Sequence, residues 1–234
     1  MKCHISYPFP NDDVKIFAFP FPLVDGRMYI LLAHNECLVV DPVNDDDGIS
    51  ILKNKGIEEL KIILTHEHCD HITGVKRFRD NFDCELICTK ECAEAIPDPR
   101  KNLSQFSDFW KMTISERNKE TVALDDFNVV TCEADSWFEK ELSFLFGKYK
   151  MQLVQSPGHS KGSLCMVVTD VRGIPVCLFT GDSLMVDYEV STRFPGGSRK
   201  KYDEITLPFL KSFMDDVIVY PGHGSDSLIK DIQF

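Results

Sequence analysis

The sequence predicts a mixed α/β domain in which short strands dominate. Three observations carry that expectation. Hydrophobic residues make up 43% of the 234-residue chain, enough to bury a sizeable core and to set aside global disorder. Apolar runs of strand length recur in both halves, bounded by turn residues and interleaved with helical stretches. No linker-like break, short-period repeat or low-complexity tract interrupts them. Residues 1–234 therefore read as a single domain.

The elements follow in order. Residues 1–24 are extended and proline-punctuated, and Ile16 to Phe19 reads as an edge strand. Met28 to Ala33 and Cys37 to Val40 form a hairpin across His34-Asn35-Glu36. Gly48 to Lys55 is a helix closed by Gly56. Ile62 to Leu64 is a short buried strand, and Ile72 to Phe78 starts an amphipathic helix. Glu85 to Cys88 is a strand, with a helix near Lys90 to Ala95. Residues 97–127, with Phe106, Phe109 and Trp110, form a partly helical excursion packed over one face. Strands resume at Asn128 to Thr131, Leu142 to Phe146 and Met151 to Gln155. Ser163 to Thr169 and Val176 to Thr180 make a second hairpin, Tyr202 to Asp215 is helical, and Val217 to Tyr220 is the last strand.

The formal net charge is −11, which argues against a nucleic-acid grip built on basic surface. The N-terminus lacks the pattern of a signal peptide, and no apolar run is long enough to span a membrane. Nine cysteines occur without a Cys-x-x-Cys pair, which suits free thiols in a reducing, cytoplasmic setting.

Chemistry concentrates in Thr65-His66-Glu67-His68-Cys69-Asp70-His71, between an apolar strand and a helix start. In extended backbone, side chains at i and i+2 point the same way. His66, His68 and Asp70 can therefore converge, and a turn into the helix swings His71 beside Asp70. One metal ion takes three or four protein ligands, so others must come from elsewhere. Three later loops supply them: Ser156-Pro157-Gly158-His159-Ser160, Thr180-Gly181-Asp182-Ser183 and Pro221-Gly222-His223-Gly224. Each follows an apolar strand and carries glycine next to the candidate ligand, where the backbone must turn sharply. Of the seven histidines, only His4 and His34 lie outside these loops.

At these residues the sequence resembles the metallo-β-lactamase-fold hydrolases, above all glyoxalase II and its smaller bacterial relatives. The matching segments are Thr65 to His71, Pro157 to Ser160, Gly162-Ser163, Thr180 to Asp182 and Pro221 to Gly224, with Asn102-Leu103-Ser104 also similar. The resemblance implies a four-layer αββα sandwich of α/β (α+β) class. It implies that His66, His68 and His159 hold one metal, that Asp70, His71 and His223 hold a second, and that Asp182 bridges them. The donor set suits two divalent ions, zinc foremost, with iron or manganese as alternatives. The expected function is a binuclear metal-dependent hydrolase of a small ester, thioester or lactone. It would use a metal-bridging hydroxide, with Asp70 and Asp182 orienting the nucleophile. Asp41 is placed to steer a ligand imidazole. The expected partner is a small-molecule substrate, with no nucleic acid or membrane.

Arg193 and Lys161 are the candidates for contacting substrate from the rim. Cys69 lies between two ligands, and strand alternation points it away from the metals into packing. Cys84, Cys88 and Cys92 read as small buried apolar residues. Ser191-Thr192-Arg193-Phe194-Pro195-Gly196-Gly197 departs from the glyoxalase II pattern, which carries an aspartate where Arg193 stands. Only residues 224–234 follow His223, which speaks against the C-terminal glutathione-binding domain of glyoxalase II. The alternatives on the same fold are a mononuclear iron sulfur dioxygenase on His66, His159 and Asp182, a phosphodiesterase or nuclease, and a true β-lactamase. A non-catalytic binding module is the alternative from another class.

Overall fold

The computed structural model describes residues 3–6, 9, 14–21, 24–109, 112 and 129–234. Seven strands form the first sheet in chain order: β1 (His4–Ser6), β2 (Lys15–Phe21), β3 (Gly26–Ala33), β4 (Glu36–Val40), β5 (Glu59–Ile63), β6 (Asp83–Thr89) and β7 (Ser136–Phe138). The pairings are antiparallel from β1 to β4 and parallel from β4 to β7. Parallel neighbours need crossovers. Helix α1 (Asp46–Asn54) supplies the one between β4 and β5, and α2 (Val75–Arg79) the one between β5 and β6. A short helix α3 (Lys90–Ala93) follows β6. Asp45 caps α1 by accepting from Gly48 N at 2.7 Å.

The second sheet has the order β13-β12-β11-β10-β9-β8, with β8 (Glu141–Phe146), β9 (Tyr149–Gln155), β10 (Leu164–Thr169), β11 (Pro175–Gly181), β12 (Ile218–Pro221) and β13 (Ser227–Leu228). Tyr29, Leu31, Leu38 and Ile63 from the first sheet pack against Met151, Leu153, Met166 and Phe179 from the second. The opposite face of the first sheet packs Ile30, Val39 and Ile62 under Leu52 of α1 and Phe78 of α2. The outer face of the second sheet packs Cys165, Leu178 and Val219 under Leu210. The layers are therefore helix, sheet, sheet, helix, the expected αββα sandwich. Strands β3 and β4 are apolar almost throughout because both of their faces are covered.

Several local expectations give way to tertiary structure. β2 is not an edge strand: the short β1 pairs outside it. Residues 129–131 form no strand; β7 lies later, where Ser136 to Phe138 extend β6 in parallel register. Asp135 sets that junction by accepting from Leu86 N at 2.7 Å. The helix expected from Ile72 forms at Val75, because Cys69–His71 winds into a 3₁₀ turn first. The late helix starts early, at Arg199 under a Ser198 cap, passes through a π-helical stretch at Tyr202–Thr206 and ends at Leu210. Phe106 and Phe109 are 44% and 55% exposed. Trp110 and most of the 97–127 excursion lie outside the described residues. No described helix is long and apolar enough to cross a membrane.

Candidate metal centre

Strand direction gathers the site. β4 and β5 run parallel. In the second sheet, β9 and β11 each run antiparallel to β10, while β12 is parallel to β11. The carboxyl ends of β9, β11 and β12 therefore share one edge, and the loops with His159, Asp182 and His223 leave from it. Backbone hydrogen bonds fasten the two sheets there: Leu164 N donates to Thr65 O at 2.8 Å and Arg27 N to Gly222 O at 2.8 Å.

The donor atoms converge. His66, His68 and His159 present ligand atoms within 4.8 Å of one another, as do His66, His71 and Asp182, and Asp70, His71 and His223. His68 Nδ1 stands 3.0 Å from His159 Nε2, and His71 Nε2 stands 3.3 Å from His223 Nε2. Asp182 reaches across, with Oδ2 3.4 Å from His159 Nε2 and 3.5 Å from His223 Nε2. Asp70 Oδ2 lies 3.3 Å from His223 Nε2.

Three of the imidazoles are each aimed by an anchor on the far nitrogen. His159 Nδ1 donates to Ser191 O at 2.8 Å, and His223 Nδ1 to Val24 O at 2.9 Å. His71 Nδ1 donates to Asp41 Oδ2 at 2.9 Å. Asp41 also accepts from Thr65 N at 2.7 Å and Thr65 Oγ1 at 2.6 Å. With Nδ1 engaged, Nε2 of these three rings is the atom turned to the centre. Two glycines let the backbone come this close. A Cβ on Gly222 would lie 2.3 Å from Asp182 Oδ1, and one on Gly181, where φ is +48°, would lie 2.4 Å from Thr65 Oγ1.

The electrostatics call for positive charge at the centre. Burial, reinforced by His71 and the neighbouring rings, pushes His66 well below the usual imidazole range, and burial with His159 lowers His68 to about 3. Burial opposes charge on His71 and His223 too, yet Asp70, Asp41 and Asp182 outweigh it and raise them to about 9 and about 10. Asp70 and Asp182 are held below the ordinary carboxylate range by those imidazoles, against the effect of burial. His66 Nε2, His68 Nε2 and Asp182 Oδ1 are buried without a hydrogen-bond partner. An orphaned buried polar atom costs about 1–3 kcal/mol. Cations held between neutral imidazoles and ionised carboxylates would offset that cost, so the residues present fit a metal centre.

A cavity of about 190 Å³ opens onto these atoms, lined by Val24, His68, Cys69, Asp70, Leu103, His159, Asp182, Phe194 and His223. Cys69 is buried, as expected, and also contributes to that lining. The 3₁₀ turn at Cys69–His71 breaks the alternation that would have turned the thiol away. Arg193 and Lys161 are exposed and lie outside the cavity lining. Phe194 sits there instead, its ring centroid 5.5 Å from that of His68 and 6.0 Å from that of His159.

Sequence reasoning assigned no role to Val24 or Glu67, whereas Leu103 and Phe194 fall in the two stretches, 97–127 and 191–197, expected to choose the substrate. Glu67 is buried, accepts from Ser160 Oγ at 2.7 Å and ties the first ligand loop to the second. A carboxylate between two ligand histidines was the signal for it: alternation turns it to the opposite side. Val24 had no signal, because its contribution to His223 is a carbonyl.

This fold and this convergence of histidines and aspartates define a family of metal-dependent enzymes. The model of the metallo-beta-lactamase superfamily matches residues 22–223, and the chain belongs to that superfamily. Among curated relatives, it is 24% identical to a probable metallo-hydrolase, YqgX, of Bacillus subtilis, over 92% of each chain. It is 22% identical to a hydroxyacylglutathione hydrolase of Pelagibacter ubique, over 86% of this chain and 67% of that one. Among solved structures, the BLEG-1 B3 metallo-beta-lactamase superposes with a TM-score of 0.69 at 25% identity, covering 92% of this chain and 95% of that one.

Proposed function

We propose that the protein is a binuclear metal-dependent hydrolase of a small ester, thioester or lactone. The observation that carries this reading is the pair of overlapping ligand groups. His66, His68 and His159 would hold one divalent ion, Asp70, His71 and His223 the other, and Asp182 lies within reach of both groups. The completeness of the second group favours two ions over the single iron of a dioxygenase. Zinc is the proposed metal, with iron or manganese acceptable to the same donors. Two such ions, when bound, lower the pKa of water to about 7 and polarise a carbonyl oxygen.

The chain's own residues do the rest. Asp41, the Ser191 carbonyl and the Val24 carbonyl hold His71, His159 and His223 in orientation. Asp70, partly open to the cavity, would orient the attacking water together with Asp182. Val24, Leu103 and Phe194 restrict water around the acyl group. In balance, water oxygen bonds to the acyl carbon, the acyl–oxygen or acyl–sulfur bond breaks, and a carboxylic acid leaves with an alcohol or thiol. The relative named as a hydroxyacylglutathione hydrolase supports acyl-thioester chemistry. All nine cysteines are free thiols, which supports a reducing, cytoplasmic setting.

The test is metal analysis of protein purified without chelator, joined to a panel of thioesters, esters, lactones and phosphodiesters. Close to two ions per chain and acyl hydrolysis abolished by chelation are expected. Metal-free protein, or turnover of phosphodiesters alone, would refute the reading.

A further inference from the structure

We propose that Leu103 is the specificity-determining residue of this site, a fixed apolar wall that selects short, uncharged acyl groups. The proposal rests on the hydrolase reading above and deepens it. Leu103 is 4% exposed, yet it belongs to none of the three hydrophobic clusters that make up the layers. It lines the metal cavity. Its backbone is left-handed, with φ +68° and ψ +1°. That region is unfavourable for a bulky side chain, and such strain persists only where surroundings over-determine it.

The surroundings here do so. Asn102 is fully buried and donates from Nδ2 to Ile96 O at 2.9 Å and to Val130 O at 2.8 Å. Asn102 Oδ1 accepts from Ser104 N at 2.9 Å, and Ser104 Oγ donates to Val130 O at 3.1 Å. The residues on both sides of Leu103 are thus pinned to two separate segments of backbone. The residue that joins them is left-handed, a conformation glycine would adopt without strain. A leucine there puts an isobutyl group into the cavity.

The composition of the wall gives the ligand chemistry. Among the described residues lining the cavity, those outside the candidate ligand set are Val24, Cys69, Leu103 and Phe194. None carries a charge or a strong hydrogen-bonding group for the far end of an acyl chain. Bound metal would neutralise Asp70 and Asp182, so discrimination against an anionic acyl tail rests on the apolar wall, which offers a carboxylate no ion-pair or hydrogen-bond partner. The chamber beside Leu103 holds about 190 Å³, and a second of about 170 Å³ on the far side of Phe194, which adds Met185, Tyr188, Glu189 and Ser191, does not include Leu103. The substrate that fits has a short neutral acyl group, not one ending in a carboxylate.

The experiment compares metal-loaded wild type, Leu103→Ala and Leu103→Gly on acetyl, butyryl, hexanoyl and succinyl thioesters of N-acetylcysteamine. Isothermal titration with acetate, butyrate, hexanoate and succinate runs in parallel. Wild type should favour butyryl over both hexanoyl and succinyl by roughly tenfold in kcat/KM. Leu103→Ala should raise the hexanoyl-to-acetyl ratio by roughly tenfold, through KM, and tighten hexanoate relative to acetate with metal content unchanged. Leu103→Gly, which suits the left-handed backbone, should do the same and melt no lower than wild type. A ratio within twofold of wild type in both variants would overturn the proposal, as would succinyl turnover equal to butyryl. If no acyl compound is hydrolysed, the hydrolase reading fails. The carboxylate titrations then decide the role of Leu103 alone: unchanged chain-length selectivity refutes it, and a shift toward hexanoate supports it.

Discussion

Asp41→Asn tests whether the metal centre depends on its buried anchor. Asp41 is 2% exposed and sits at φ +51° just before Pro42. Its two oxygens accept from Thr65 N, Thr65 Oγ1 and His71 Nδ1 at 2.7, 2.6 and 2.9 Å. Asparagine keeps the shape but turns one acceptor into a donor. If the amide nitrogen faces His71, it can only donate to Nδ1, which forces the proton onto Nε2 and removes a metal ligand. If the amide flips, it opposes Thr65 N, and a buried donor loses its partner at about 1–3 kcal/mol. Loss of such an orienting partner weakens metal binding by roughly 10–100-fold, about 1.4–2.7 kcal/mol. Competitive titration against a chromogenic chelator should show one weakened site in Asp41→Asn, with the site of His66, His68 and His159 closer to wild type. Two sites of wild-type affinity would refute the reasoning.

Two further outcomes follow from the geometry. In Gly222→Ala the new methyl would sit 2.3 Å from Asp182 Oδ1 and 2.8 Å from His71 Cε1. Bound metal and activity should fall together by roughly tenfold or more, read by metal analysis and turnover; full metal content would count against a shared Asp182. In the metal-free protein, His71 and His223 titrate near 9 and near 10, above the ordinary imidazole value. A raised folded-state value stabilises fully below about 6.5 and is lost as pH climbs through that window. Metal-free protein should therefore melt lower at pH 10 than at pH 8. Because ligating imidazoles must be neutral, metal binding at pH 8 should release protons; calorimetry in buffers of different ionisation heat measures this, and zero release would contradict the assignment.

What was legible in the sequence was local. Each ligand loop follows its own apolar strand, and Thr65 to His71 carries ligands at a spacing that extended backbone converts into convergence. Such patterns need only a few neighbouring residues, so His66, His68, Asp70, His71, His159, Asp182 and His223 could be named before any fold was known. The layers were recognisable through resemblance rather than periodicity, because strands such as β3 and β4 are buried on both faces and show no alternation.

Tertiary structure decided what depends on distant pairing. Val24 O reaches His223 across 199 positions of sequence, and Ser191 O reaches His159 across 32. A backbone carbonyl leaves no mark in residue identity, so neither anchor could be read in advance. The 3₁₀ turn at Cys69–His71 brings the buried Cys69 into the cavity lining as well, since alternation holds only while the chain stays extended. The same limit applies to the cavity wall. Residues near the ligands in sequence, Arg193 and Lys161, lie outside it, whereas Leu103 enters it because Asn102 and Ser104 bind Val130 O from far along the chain. The sequence by itself determined which atoms can hold metal. The packing of two sheets decided which apolar groups stand around those atoms, because side-chain direction at a loop is set by what the loop is fastened to.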